Sequence, residues 1–216
     1  MAHIPYWPQW LTKMWWLVRK MYNMPDCLSR DEMGQIVNKS LTFTFVRHPF
    51  IRLVAVYNDR IMTNFNNWQK EILKRQGRSN GAGKNSAEEE IKFKDFVDFI
   101  LNDGAGDTEH LDTYYHHCDM CRLRYDLIGK FESFANDTKY VLLKSGAHET
   151  LANDDLLQQL SWFNNRPYSS TNLETALPFF RELKKETILK LYLRYEMDFE
   201  MFGYDAEPFY EQGIAS

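Results

Sequence analysis

The sequence predicts an α/β fold in which a central parallel sheet is flanked by helices, and three observations carry that reading. Residues 41–46 are apolar and β-rich, then break at Pro49 into helical spacing at Leu53, Val54, Tyr57 and Ile61. A second short strand candidate, residues 125–129, leads directly into another amphipathic stretch. Strands that alternate with helices in this way pair in parallel, because the intervening helix carries the chain back across the sheet. A chain of 216 residues is long enough for one such domain and short for two. A single domain over residues 1–216 is therefore expected.

Taken in order, each element has a local reason. Pro49 suits an early helical position, because the N–H it lacks would have no partner there. Residues 74–87 hold Gly77, Gly81 and Gly83 among polar side chains, which reads as a flexible surface loop. Glu88, Glu89 and Glu90 then open a helix whose apolar positions are Phe93, Phe96, Val97 and Ile100, with Gly104 just past its end. After the second strand, Ser133 can cap a helix that places Phe134, Thr138, Val141, Leu142 and Ser145 on one face and stops at Gly146. A last helix over residues 184–199 turns Ile188, Leu191, Tyr192 and Tyr195 inward. Its aromatic run Tyr192, Tyr195, Phe199, Phe202 and Tyr204 reads as core.

Composition excludes some functions. A net charge of −4 and a pI near 5.9 argue against a general nucleic-acid binder, so any anion site is local. No apolar run approaches the roughly 20 residues that span a bilayer, and residues 10–20 are interrupted by Lys13, Arg19 and Lys20. Three cysteines are too few for a disulfide scaffold. His110, His116, His117, Cys118 and Cys121 cluster, but with one Cys-x-x-Cys pair they lack the two separated pairs of a structural zinc site, and no metal is expected. Those cysteines can bridge to each other or elsewhere in an oxidising compartment. Sequons at Asn38 and Asn136 permit a secretory setting without showing one. Trp7, Trp10, Trp15 and Trp16 suit burial better than sugar stacking.

Arg47 stands where the first strand gives way to a helix. Ligands of open α/β sheets bind beyond the carboxyl ends of strands, and a helix N-terminus offers N–H groups to an anion. A guanidinium there can grip a phosphate through two parallel hydrogen bonds. The residues alone leave a second role open, in which Arg47, or Arg52 on the helix, pairs with a carboxylate and holds the turn.

The segment "FVRHPFIRLVAVYNDR" closely resembles the 3′-phosphate-binding segment of the Golgi carbohydrate sulfotransferases that include the chondroitin and dermatan 4-O-sulfotransferases. Three further segments agree in order: Glu109-His110 with Cys118 and Cys121, then "YDLIGKFESFANDTKYVLLKSG", then "LKLYLRYEMDFEMFGY" ending at Tyr204. The resemblance implies a nucleotide-kinase-like fold with a phosphate loop after its first strand. It implies in-line sulfuryl transfer from 3′-phosphoadenosine 5′-phosphosulfate (PAPS) to a glycan hydroxyl, with a glycan acceptor and no nucleic acid as partner. A Golgi lumen or membrane location also follows from it, the membrane only through an N-terminal anchor not visible in this chain.

By the same resemblance Arg47 binds the donor's 3′-phosphate, Lys130 faces the cofactor, and His110 is the candidate general base on the acceptor side. The family serine that also binds the 3′-phosphate falls at Ala55, and the family tryptophan after the histidine is Leu111. The loop that holds the 5′-phosphosulfate has its nearest counterpart around Gln9, Thr12 and Lys13, with Gln9 at the lysine place and Lys13 as a substitute cation. Either that loop is degenerate here or the family's first strand and loop are missing. A non-catalytic relative that binds glycan, nucleotide or a partner enzyme is the alternative expectation.

Overall fold

The computed structural model describes residues 30–62, 67–77, 91–102, 110–118, 120, 121, 123–147 and 171–215. The chain divides into two compact units, Met1–Leu41 and Thr42–Ser216. In the first, helix α1 (Arg30–Lys39) closes in a turn where the Ser40 N–H donates to the Val37 carbonyl at 3.2 Å. Gln9, Thr12, Lys13 and the four N-terminal tryptophans lie outside the described residues.

The second unit opens with strand β1 (Phe43–Val46) and helix α2 (Pro49–Val56), which runs on as a π-helical turn over Tyr57–Ile61. Helices α3 (Asn67–Arg75), α4 (Phe93–Leu101) and α5 (Tyr114–His117) precede strand β2 (Leu127–Lys130). A 3₁₀ turn over Phe131–Ser133 leads into α6 (Phe134–Ser145), and α7 (Leu173–Phe180), α8 (Lys185–Phe202) and α9 (Glu207–Gln212) follow. Among the described residues no helix is long and apolar enough to cross a membrane.

The two strands pair in parallel, with Phe43 opposite Leu127 and Val46 opposite Lys130. This register brings their carboxyl ends together, and Arg47 follows immediately on one side. The first strand is less buried than its composition suggests: Phe43 stays 49% exposed, and only Val46 is shut off completely. Among the described residues the sheet has two strands, so each has one edge without a strand partner there. Gly129 is required in β2 because the Phe45 ring lies across it, and a Cβ there would come within 2.5 Å of that ring. Phe45 in turn packs on Phe134 at 4.9 Å between centroids, which ties the sheet to α6.

The core sits among α2, α4, α7, α8 and α9. Phe50 of α2 meets Phe180, Phe199 and Phe209 at centroid separations of 5.0, 4.9 and 5.4 Å. Edge-on and tilted contacts of this kind add to the burial term that dominates. The inward positions read for the last helix hold, since Ile188, Leu191, Tyr195, Phe199 and Phe202 are buried and Tyr192 is half-buried. That helix extends past residue 199 to Phe202.

Three local expectations change. Helix α4 starts at Phe93 with Lys92 as its N-cap, and the Asp95 carboxylate accepts the Lys92 N–H; Glu88–Glu90 lie outside the described residues. Ser133 occupies the N-cap position of α6, but its hydroxyl donates to the Asp137 carboxylate at 2.7 Å and caps no backbone N–H. Ser145 is exposed, whereas Gly146 ends α6 with the left-handed φ of 71° that a side chain would strain.

Candidate functional site

Arg47 sits between β1 and α2, in the short crossover that the strand and the helix start together define. Its guanidinium lies 4.6 Å over the Phe131 ring and donates one hydrogen bond to the Thr171 carbonyl at the head of α7. Burial pushes the guanidinium below its ordinary pKa, and nearby Glu132, Tyr114 and Tyr204 pull it back. It remains a cation, since arginine does not deprotonate in proteins. Among the described residues one of its N–H groups is used, which leaves the rest of the fork to meet an anion.

The backbone around Arg47 is held from three directions. The Glu132 carboxylate accepts the His48 N–H at 2.8 Å through one oxygen and the Tyr204 hydroxyl at 2.9 Å through the other. His48 donates from Nε2 to the Asp205 carbonyl at 2.9 Å and accepts the Phe50 N–H at Nδ1, which fixes it as a neutral ring capping α2. Burial pushes its pKa down, in keeping with that neutral state. The Tyr204 hydroxyl also lies 3.4 Å from the Val46 carbonyl, just before Arg47. Burial, reinforced by the Glu132 charge, drives the Tyr204 phenol far above its usual pKa and keeps it a donor.

Lys130 ends β2 beside this turn. Its N–H donates to Asp137 at 2.7 Å, and its ammonium rests 4.5 Å over the Tyr204 ring. Tyr204, read as core, is thus a half-buried bridge between the two strand ends; the chain leaves α8 at Gly203, so its side chain departs from the helical face. Ala55 stands half-buried on α2 and offers no hydroxyl.

Arg52 takes the holding role that either arginine could have had. Its Nη2 donates to the Asp112 carbonyl at 2.7 Å and lies 3.5 Å from the Asp198 carboxylate, while its guanidinium stacks 4.3 Å over Tyr114. Asp198 is fully buried and accepts the Tyr114 and Tyr115 N–H groups at 2.8 and 2.9 Å, so it caps α5 from α8. Burial pushes its carboxyl pKa up, opposed by those two N–H donors and by Arg52. Sequence reasoning passed over Asp198, Glu132 and His48; the only signal was their presence inside the segments that carry the family resemblance.

His110 lies apart from the residues that touch Arg47. Its Nε2 accepts from the Arg60 guanidinium at 2.7 Å, and its ring meets Trp68 edge-on at 6.4 Å. Leu111 beside it is buried in the core. His116 pairs through Nδ1 with Asp112 at 2.7 Å. Cys118 and Cys121 are free thiols: burial pushes the Cys118 thiol pKa up, and Cys121 donates to the Tyr115 hydroxyl at 3.4 Å. The separate partners explain why the His and Cys cluster read from the sequence does not converge, and no group of three metal-ligating side chains occurs among the described residues.

One family model, that of the sulfotransferase family, matches residues 10–205, a span that contains the Arg47 turn, Glu132 and Tyr204. The chain belongs to the sulfotransferase family. This sulfotransferase-family protein is 28% identical over 185 residues to carbohydrate sulfotransferase 11 of Rattus norvegicus, covering 82% of this chain and 50% of that relative. It is 26% identical over 192 residues to carbohydrate sulfotransferase 10 of Xenopus laevis, covering 84% and 52%. The chain spans about half the length of the curated relatives it matches. No solved structure matches it significantly.

Proposed function

We propose that the protein transfers a sulfuryl group from PAPS to a hydroxyl of a glycosaminoglycan or glycoprotein glycan, in a nucleotide-kinase-like fold and in the Golgi. The observation that carries this reading is Arg47, a desolvated cation at the carboxyl end of a parallel strand whose fork is mostly uncommitted. The bound donor would supply the activated sulfuryl group. Arg47 would hold its 3′-phosphate, Lys130 would lie beside it, and Gln9, Thr12 and Lys13 are the counterparts for its 5′ side. His110, with Trp68 at hand, is the acceptor-side candidate for receiving the hydroxyl proton. As the acceptor oxygen bonds to sulfur, the bond to the 5′-phosphate breaks and adenosine 3′,5′-bisphosphate leaves.

The deciding experiment is calorimetric titration of the folded chain with adenosine 3′,5′-bisphosphate, followed by sulfate transfer across a panel of glycans. Micromolar binding and transfer support the reading; no binding by a well-folded chain overturns it. Ala55 favours a second reading, a relative that binds nucleotide or glycan without transferring sulfate, for which binding without transfer is the expected result. The same position gives a gain-of-affinity prediction. Ala55→Ser adds a hydroxyl donor to a charged phosphate, a bond worth about 1.5–3 kcal/mol, and should tighten the bisphosphate by roughly tenfold to a hundredfold in the same titration.

A further inference from the structure

We propose that Lys130 is a second, movable cation of the 3′-phosphate site, parked on Tyr204 when no ligand is bound and swung onto the phosphate when one is. The inference rests on the donor-binding reading of Arg47 and deepens it. Its first support is register. Val46 pairs with Lys130, so Arg47 and Lys130 emerge at the carboxyl ends of adjacent parallel strands, the edge where ligands of such sheets bind.

The second support is the way the two cations are mounted. The Lys130 backbone is pinned, because its N–H donates to Asp137 and Asp137 is itself held by the Ser133 hydroxyl. Among the described residues its side chain is held by the Tyr204 face at 4.5 Å, a contact worth about a tenfold preference at most when partly exposed. A phosphate oxygen offers a stronger, charge-assisted partner. Tyr204 is a fixed perch, since its hydroxyl donates to Glu132, whose other oxygen takes the His48 N–H next to Arg47. Among the described residues Glu132 and Asp137 are the carboxylates beside this pair. The Glu132 charge raises the Arg47 pKa while its oxygens accept the His48 N–H and the Tyr204 hydroxyl, and Asp137 accepts the Lys130 N–H, so a phosphate competes with them for the two cations. A second cation also answers the absence of a hydroxyl at Ala55: the phosphate gains from β2 the partner that an alanine on α2 does not supply. Glu132 and Tyr204 are positioning residues in this arrangement.

The test compares adenosine 3′,5′-bisphosphate with adenosine 5′-monophosphate by calorimetry, on the parent chain and on Lys130→Gln, Lys130→Arg and Arg47→Ala, with thermal melts for each. Lys130→Gln should weaken the bisphosphate about tenfold or more and leave the monophosphate unchanged, and Lys130→Arg should restore most of the affinity. A shallower salt dependence of bisphosphate binding in Lys130→Gln is expected as well. Equal bisphosphate affinity in parent and Lys130→Gln, or an equal loss for both nucleotides, overturns the proposal. If bisphosphate binding is present and sensitive to Arg47→Ala but not to Lys130→Gln, only the second cation falls. If the folded parent binds no bisphosphate, the donor reading falls and Lys130 with it.

Discussion

Arg47→Ala is expected to weaken adenosine 3′,5′-bisphosphate binding by a hundredfold or more while leaving the melting temperature nearly unchanged. The drop in affinity follows from two charge-assisted hydrogen bonds of a bidentate guanidinium, each worth about 1.5–3 kcal/mol. The stability should hold because, without ligand, Arg47 contributes one bond to the Thr171 carbonyl and a contact over Phe131 worth about 0.5–1 kcal/mol. The turn itself is fixed without the Arg47 side chain, by Glu132 on the His48 N–H and by the His48 ring on the Asp205 carbonyl and the Phe50 N–H. Arg47→Lys keeps the charge but loses the fork, so an intermediate affinity is expected. Calorimetry and melting curves on the same preparations separate the two effects. Undiminished binding in Arg47→Ala would remove this residue from the site.

Asp198→Ala should do the opposite, costing about 3–5 kcal/mol of stability and lowering the melting temperature by on the order of 10 °C. Three donors depend on that fully buried carboxylate: the N–H groups of Tyr114 and Tyr115 and the Arg52 guanidinium, whose side chain is 12% exposed. Truncation leaves two part-buried N–H groups without their acceptor and removes the charge that faces Arg52, whose Nε has no partner among the described residues. The double variant Arg52→Met, Asp198→Leu should recover part of the stability, because removing both charges is far less costly than stranding one. Urea unfolding of the single and double variants measures this directly. Because α5 hangs on Asp198 and carries Tyr114, whose ring lies under Arg52 on the helix that follows Arg47, bisphosphate binding should also weaken in Asp198→Ala at temperatures where it is still folded. A single variant as stable as the parent would show that the carboxylate is dispensable.

The sequence by itself determined the local elements and the family. The break at Pro49, the helical spacing of Leu53, Val54 and Tyr57, the stop at Gly146 and the inward stripe of the last long helix are encoded within a few residues of where they act, by φ restriction and by the two side-chain periods. Four ordered segments carried the kinship. Arg47 was legible as a candidate for the same reason, since a cation between a strand and a helix start is a local pattern.

What only the tertiary structure decided is which of these groups meet. Glu132 reaches the His48 N–H across 84 positions, Asp198 reaches Tyr114 across 84, and the His48 ring reaches the Asp205 carbonyl across 157. No periodicity records such pairings, because hydrogen bonds form between groups that packing brings within about 3 Å, whatever their separation along the chain. The same rule separated two arginines five residues apart on one segment. Arg52 faces a buried carboxylate and holds the loop, whereas Arg47, near the Glu132 charge, donates among the described residues to the Thr171 carbonyl alone. Neighbours in space, not neighbours in sequence, set the two arginines apart.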